Sequence, residues 1–343
     1  MLTVILTNYN HARFLPAAFD GLLRQTRPAD EVIVIDDAST DDSVAVIEPF
    51  LGRFANARLV RNPANLGCAA NLNRGIEMAR GDIVHFAAAD DVTYPRLFEH
   101  GLSLLAEYPG AALMSARIDI LAEDGRVVGT MATPVPLWRP GFIPPEMAPR
   151  LLMREDGWFT GNTTLYRRDL LAAAGGFPEE LESFCDGYIS RLLALRHGAC
   201  FSPEILGAWR RLEGGLAWSQ TIDLARARQL VSAAQRCMIK HPELFPAGYA
   251  RRWARRYLFG ARRFALVEGR RKALADGPVA ATPAVLREAV LSLWWFLVLR
   301  PWDAVSVARR RLPPLLRPDR HRTSKAFAGA DQKNATPTAP LKL

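Results

Sequence analysis

Two pairs of adjacent carboxylates, Asp36 with Asp37 and Asp90 with Asp91, are the residues whose type and spacing best suit chemistry. The first pair closes the apolar run Glu31 to Ile35 and runs into Ala38-Ser39-Thr40-Asp41-Asp42, a turn-forming cluster. The second closes the run Asp82 to Phe86, after three alanines. A buried strand that ends in two acids delivers them to the rim of a sheet, where open α/β folds place their ligands. Two such strand ends suit a ligand that carries a hydroxyl-rich ring and a metal-bound phosphate. Carboxylates accept hydrogen bonds from hydroxyls and ligate hard cations.

The elements that must hold these acids are legible in the hydropathy pattern. Leu2–Leu6 is a first buried strand, with Thr7-Asn8-Tyr9-Asn10 as the loop at its carboxyl end. Phe14, Leu15, Ala18, Leu22 and Leu23 recur at helical spacing. Glu31–Asp36 is the second strand, and Asp41 or Asp42 caps a helix that carries Val44, Ile47, Phe50 and Leu51. A short strand at Arg58–Arg61, a helix through Ala70, Asn73, Ile76 and Met78 with Gly81 as its C-cap, and a strand at Asp82–Phe86 complete a β-α-β-α-β-α-β run. That order implies right-handed crossovers and a parallel sheet, hence an α/β fold. Further on, a helix spans Tyr94–Tyr108, and Glu123-Asp124-Gly125 turns a hairpin between Ala111–Leu121 and Arg126–Met131. Thr133 to Pro149 holds six prolines and reads as a loop over the site. Gly157–Tyr166 contains a strand, Cys185–His197 is a helix, and Ala199–Trp209 is a strand.

Charge divides the chain. Residues 1–250 carry 24 Lys and Arg against 29 Asp and Glu, a balance of −5, whereas residues 251–343 carry 20 against 6, a balance of +14. A slightly acidic domain over 1–220, a basic helical extension over 221–317 and a polar, disordered tail over 318–343 follow from this reading. The extension suggests an anionic partner. The four cysteines show no CxxC pattern and no metal-type pairing with histidine, so a reducing compartment is expected. The N-terminus has no basic region ahead of its short apolar run and reads as a strand rather than a signal peptide, which points to the cytoplasm.

The order Thr7-Asn8-Tyr9-Asn10, Val32 to Asp37 with Ser39, Asn65-Leu66-Gly67, Asn73-Arg74-Gly75, Ala79 to Asp82 and Ala89-Asp90-Asp91 resembles family 2 glycosyltransferases of the GT-A fold. So does Gly175-Gly176-Phe177-Pro178-Glu179, with Asp186 at the head of a helix and Trp209-Arg210 beyond it. The resemblance covers roughly residues 1–215. It implies a Rossmann-like, mostly parallel sheet and inverting transfer of a sugar from a nucleotide-diphosphate donor to an acceptor hydroxyl in glycan or polysaccharide synthesis. It assigns base or ribose binding to Thr7, Tyr9, Asp36 and Asp37, with uracil favoured because Asp37 can accept a ring N–H. It assigns a divalent cation, Mg²⁺ or Mn²⁺, to Asp90, assisted by Asp91. Ala88 stands where the family's Asp-x-Asp motif has its first acid. Arg210, with Arg211, falls where a phosphate clamp is expected, and Leu212 stands where a histidine ligand sometimes occurs. Asp186 is the expected base, kept ionised by the helix N-terminus, although Cys185 replaces the family's neighbouring Glu. Gly161-Asn162-Thr163 is expected along the donor-sugar pocket, with Trp138 and Trp158 stacked on sugar faces. A non-catalytic nucleotide-sugar or glycan-binding relative is the alternative reading.

In the basic extension, Arg251 to Phe259 mixes cations and aromatics at helical spacing, and Ala289–Leu299 is an apolar run stopped by Arg300-Pro301. Eleven helical residues reach only ~16 Å, too short to span a bilayer. The stretch 251–311 therefore reads either as an interfacial segment on anionic lipid or as a hairpin packed on the catalytic domain. A glycan or lipid-linked acceptor would make the membrane reading sensible. No recognised nucleic-acid motif accompanies the basic run, so nucleic acid is not an expected partner.

Overall fold

The computed structural model describes residues 1–275, all within one compact unit. The strands are β1 (Leu2–Asn8), β2 (Glu31–Asp36), β3 (Ala57–Arg61), β4 (Ile83–Ala88), β5 (Val92–Thr93), β6 (Leu113–Leu121), β7 (Val127–Thr130), β8 (Gly141–Ile143), β9 (Leu165–Arg167) and β10 (Ala199–Arg210). The helices are α1 (Leu15–Leu23), α2 (Ser43–Leu51), α3 (Cys68–Met78), α4 (Leu97–Glu107), α5 (Ala148–Arg154), α6 (Arg168–Ala173), α7 (Cys185–His197), α8 (Leu216–Ile222), α9 (Leu224–Ile239) and α10 (Tyr249–Ala275).

One mixed sheet in the order β3-β2-β1-β4-β9-β6-β10-β5 organises the molecule. β1 pairs in parallel with β2 and with β4, β2 in parallel with β3, and β10 in parallel with β6. The short β9 is antiparallel to both β4 and β6 and splices the two parallel halves. Alternation along the inner strands sorts side chains into two cores. Leu2, Val4 and Leu6 of β1 join Val32 and Val34 under α1 and α2, whereas Ile5 joins Ile33 and Ile35 beside Leu72 and Ile76 of α3. Burial on both faces explains the unbroken apolar runs read in the sequence.

Some local expectations change. Asp41, not Asp42, satisfies the start of α2, accepting the Ser43 N–H at 3.0 Å. Gly81 is not a C-cap. The helix α3 stops at an extended Ala79, and a Cβ on Gly81 would stand 2.7 Å from the Thr3 nitrogen, so close approach to β1 is what requires glycine there. The proline-rich stretch is not only a loop. Its Gly141–Ile143 forms β8 along the first residues of β10, the end of that strand away from the acids, and Val135 and Leu137 pack on the core.

The helices after residue 220 pack on the same core as the sheet. Leu230, Val231, Ala234 and Met238 of α9 and Tyr249 and Trp253 of α10 are buried in one apolar cluster with Tyr188, Ile189 and Leu192 of α7. A buried polar knot reinforces the joint. The Asp156 carboxylate, 5% exposed, receives Nη2 of Arg191 at 2.8 Å, the hydroxyl of Tyr249 at 3.0 Å and Nη2 of Arg256 at 3.3 Å. Burial opposes the Arg191 charge and Asp156 more than offsets it, so the guanidinium stays charged. The apolar run Ala289–Leu299 lies outside the described residues. Among those described, no helix is long and apolar enough to cross a membrane.

Breaking a buried pair leaves an uncompensated charge, at a cost of about 3–5 kcal/mol. Asp156→Ala should lower unfolding free energy by roughly that amount in urea titration. The double variant Asp156→Leu/Arg191→Met should recover most of it, because no charge is then left alone.

Candidate active site

The loops after β1, β2, β4 and β10 converge at one end of the sheet, beside the point where the chain leaves β1 for β2 on one side and β4 on the other. Two adjoining cavities open there. The outer one, about 510 Å³, is lined by Thr7, Tyr9, Asp37, Gly67, Asp90 and Leu212, among others. The inner one, about 400 Å³, is lined by Phe86, Phe159, Asn162, Phe177 and Asp186, among others. Thr7, Cys68, Ala88, Asp91, Trp209 and Leu216 border both.

Side-chain hydrogen bonds lock the two loops that carry Tyr9 and Asp37. Asn8 donates to Asp36 at 2.8 Å and to Ser39 Oγ at 3.1 Å, and Asn10 accepts the Thr40 N–H at 2.7 Å from a left-handed backbone position. Asx side chains of this kind replace the ladder that loops lack. Tyr9, 45% exposed, is thereby held with its ring over the outer cavity. Asp37 is buried. Its Oδ1 takes Nδ2 of Asn62 at 2.7 Å and the Leu66 N–H at 2.8 Å, and its Oδ2 takes only the Gly67 N–H at 3.0 Å.

Two of the residues expected at the ligand also brace the loops. Asp36 is spent on Asn8 and on the Ser39 N–H at 3.1 Å, and it lies outside both cavity linings. Arg210 reaches the outer cavity wall, but its guanidinium donates to the carbonyls of Asp90 at 2.8 Å and Glu123 at 2.9 Å and lies over the Phe14 ring at 4.9 Å. Those bonds tie the acidic loop to the β6–β7 hairpin while Arg210 still borders the outer cavity. Arg211 is exposed and lines neither cavity. Trp158 is fully buried against Phe159 and Phe201, and Trp138 is exposed away from both cavities, so neither stacks on a ligand there.

The remaining acids face the cavities. The Asp90 carboxylate accepts no hydrogen bond from the described protein. His11 Nδ1 lies 3.9 Å from it. Nothing in the sequence pattern singled out His11, because the contact depends on how the β1 loop folds back. Asp91 Oδ1 accepts the Arg210 N–H at 2.8 Å, and burial together with the adjacent Asp90 pushes its carboxyl well above the usual range. The described residues hold no group of three or more His, Cys, Asp and Glu fit to cage a metal. Asp90 with Asp91 fits a cation that completes its shell with ligand oxygens and water, as Mg²⁺ and Mn²⁺ do at phosphates.

Asp186 sits in the first turn of α7, at the floor of the inner cavity. The helix N-terminus was expected to hold it ionised. Instead burial pushes its carboxyl up, against the opposing Gly187 N–H at 2.6 Å and Arg191. A Cβ on Gly161 would collide with Asp186 Oδ2, so glycine is what lets the carboxylate lie against that backbone. The preceding turn, Glu179–Phe184, is braced by Glu182 bonding to Gln220 and Arg226 and by a left-handed Glu182.

This sheet order, mostly parallel with paired cavities at the strand ends, is a fold of the GT-A type. The glycosyl transferase family 2 profile matches residues 3–174, half of the chain, and the chain belongs to that family. It is 37% identical over 106 residues to the glycosyltransferase YibD of Escherichia coli, covering 31% of this chain and 30% of that one. It is 26% identical over 244 residues to the protein MT1568 of Mycobacterium tuberculosis, covering 69% and 74%. The chain thus spans most of one curated relative and less than a third of the other. Among solved structures, the Pyrobaculum calidifontis mannosyltransferase in complex with GDP-Man and Mn²⁺ aligns with TM-score 0.57 and 23% identity over 88% of this chain and 83% of that one. The UDP complex of Staphylococcus aureus TarS aligns with TM-score 0.52 and 19% identity over 67% and 64%. Both likenesses concern the fold.

The raised Asp186 carboxyl makes a stability prediction. Below the ordinary carboxylate range the group is protonated in folded and unfolded chains and costs nothing. Above its folded pKa, folding must bury a charge. Asp186→Asn should therefore raise Tm at about pH 7.5, and the gain should disappear below about pH 4, in paired thermal melts across that range.

Proposed function

We propose that this chain is an inverting glycosyltransferase that moves a sugar from a nucleoside-diphosphate donor to an acceptor hydroxyl in glycan or polysaccharide synthesis. The observation that carries the reading is the division of acids between the two connected cavities: Asp90 opens on the outer one, Asp186 on the inner one, and Asp91 borders both. The outer cavity suits the nucleotide. Tyr9 offers a face to the base, Thr7 a hydroxyl, and Asp37 Oδ2 a lone pair for a ring N–H, which favours a uracil base. That a neighbouring fold binds UDP and another GDP-Man with Mn²⁺ is consistent with a nucleotide there.

Asp90, assisted by Asp91, would hold a divalent cation, which when bound neutralises charge on the departing diphosphate. In the transfer itself the acceptor oxygen attacks the anomeric carbon and gives its proton to Asp186. The bond from that carbon to the diphosphate oxygen breaks, and the electron pair leaves with the nucleoside diphosphate. A carboxyl raised by burial is better matched to a proton at neutral pH than an ordinary aspartate.

The extension after residue 220 serves the same reading as a docking arm. On α10, Arg251, Arg252, Arg255 and Arg262 are exposed along one face with Phe259, while Trp253 and Ala261 turn inward. Such a face suits an anionic membrane surface that carries the acceptor, with a contribution of about 1 kcal/mol per cation near the headgroups.

Asp186→Asn should lower kcat by about 10²–10⁴-fold, with donor affinity changed less than twofold by calorimetry. Asp90→Ala should instead abolish the Mn²⁺-dependent gain in nucleotide affinity. Equal loss of donor binding and turnover in Asp186→Asn would refute the role of that residue. Replacing Arg251, Arg252, Arg255 and Arg262 together by Gln should weaken co-sedimentation with phosphatidylglycerol vesicles at least tenfold and leave binding to neutral phosphatidylcholine vesicles unchanged.

A further inference from the structure

His11 and Asp90 stand side by side on the wall of the outer cavity without bonding to each other. Nδ1 of His11 is 3.9 Å from Oδ1 of Asp90, too long for a hydrogen bond. Among the described residues, neither side chain finds a hydrogen-bond partner elsewhere. A ring nitrogen and a carboxylate oxygen are thus left open toward the same space.

The chain takes trouble to put the imidazole there. Asn10, in a left-handed position at φ 55°, turns the backbone just before it, and the His11 carbonyl accepts the Phe14 and Leu15 N–H groups at 2.9 and 3.2 Å. Asp41 fixes the next residue through the Ala12 N–H at 3.0 Å. The imidazole meets the buried Phe14 ring nearly at right angles, with centroids 5.8 Å apart. The same ring carries the Arg210 guanidinium at 4.9 Å, and Nε of Arg210 donates to the Asp90 carbonyl at 2.8 Å. One aromatic side chain thus registers His11 against the loop that bears Asp90.

We infer that His11, through Nδ1, is a further protein ligand of the divalent cation at Asp90, and that this nitrogen makes the site prefer transition-metal ions to Mg²⁺. The inference rests on the reading of Asp90 as a cation ligand and adds to it a residue from the β1 loop. Small divalent ions hold six ligands at about 2.1 Å, which puts two ligand atoms about 3.0 Å apart when adjacent and about 4.2 Å when opposite. The separation of 3.9 Å lies within that span, so small side-chain rotations bring both atoms onto one ion. A neutral imidazole with its proton on Nε2 leaves the Nδ1 lone pair for the metal. Ala88 and Leu212 line the same cavity and have no ligating side-chain atom, so the remaining positions fall to nucleotide oxygens and water. A nitrogen donor favours ions in the order Mn²⁺, Co²⁺, Ni²⁺, whereas Mg²⁺ prefers oxygen.

The test is isothermal titration of the full chain with UDP and, in parallel, GDP, each in Mg²⁺, Mn²⁺ or Co²⁺. For the nucleotide that binds, affinity should rise in that order of metals, with Co²⁺ at least about tenfold above Mg²⁺. His11→Ala should lose at least about tenfold in Co²⁺ and change less than about threefold in Mg²⁺. His11→Asp, which exchanges nitrogen for oxygen, should bind better than His11→Ala in Mg²⁺ and still lack the Co²⁺ advantage. A packing role or a hydrogen bond to the nucleotide would not reorder the metals. In the wild type with nucleotide, electron spin-echo spectroscopy of bound Mn²⁺ should show a directly coordinated imidazole nitrogen, identified by isotopic labelling of histidine and missing from His11→Ala. Absence of that nitrogen signal, or a metal order unaltered in His11→Ala, overturns the assignment of His11. The Asp90 cation stands in that case if Asp90→Ala still abolishes metal dependence. Nucleotide affinity indifferent to metal overturns the cation and His11 together. No binding of either nucleoside diphosphate overturns the glycosyl-transfer reading as well.

Discussion

A strand buried on both faces can present polar groups only at its ends. β1, β2 and β4 are such strands, and their parallel pairing puts all their carboxyl ends on the same rim. That constraint gathers residues remote in sequence, among them Thr7, Asp37 and Asp90, around one opening. The rim is irregular backbone, and its conformation is maintained by Asn and Asp side chains that supply the bonds a sheet would otherwise provide.

The acids therefore divide their labour by position. Those nearest the strand body, such as Asp36, are consumed in holding loops. Those a residue or two further out remain available to a ligand. Arg210 shows the same principle with opposite charge: a guanidinium enclosed by carbonyls and an aromatic ring is an internal fastener. The later helices act likewise on the inner cavity. Arg191 donates at 2.6 Å to the carbonyl of Gly187, next to Asp186, and is itself fixed by Asp156 and Tyr249. Residues beyond 174, where the family profile ends, thus help to position the helix that carries Asp186.

Much of this was legible in the sequence because it rests on local pattern. The strands β1, β2 and β4, the helix α7 and the Glu123-Asp124-Gly125 hairpin follow from periodicity and turn chemistry. What was not legible depends on distant partners. No spacing rule says that Asp36 will be spent on Asn8 or that Arg210 will fold back onto the Asp90 carbonyl. The buried knot at Asp156 joins residues from 156 to 256 and is invisible to any short window. The expected stabilisation of the Asp186 charge by the helix N-terminus is outweighed for a related reason. A helix N-terminus is visible in sequence, whereas the desolvation that outweighs it arises only when the walls of the cavity come together.

The aromatic lining of the inner cavity also bears on which nucleophile reaches the anomeric carbon. A wall of Phe86, Phe159, Phe177 and Trp209 offers few anchoring points to solvent, and the free carboxylate oxygens are the natural footholds there. In the proposed transfer, once an acceptor hydroxyl occupies the one at Asp186, a competing water would have little to hold it in line for attack. Wasteful cleavage of the activated donor would then be held back by the same hydrocarbon that shapes the chamber, and fidelity to the acceptor would become a property of packing.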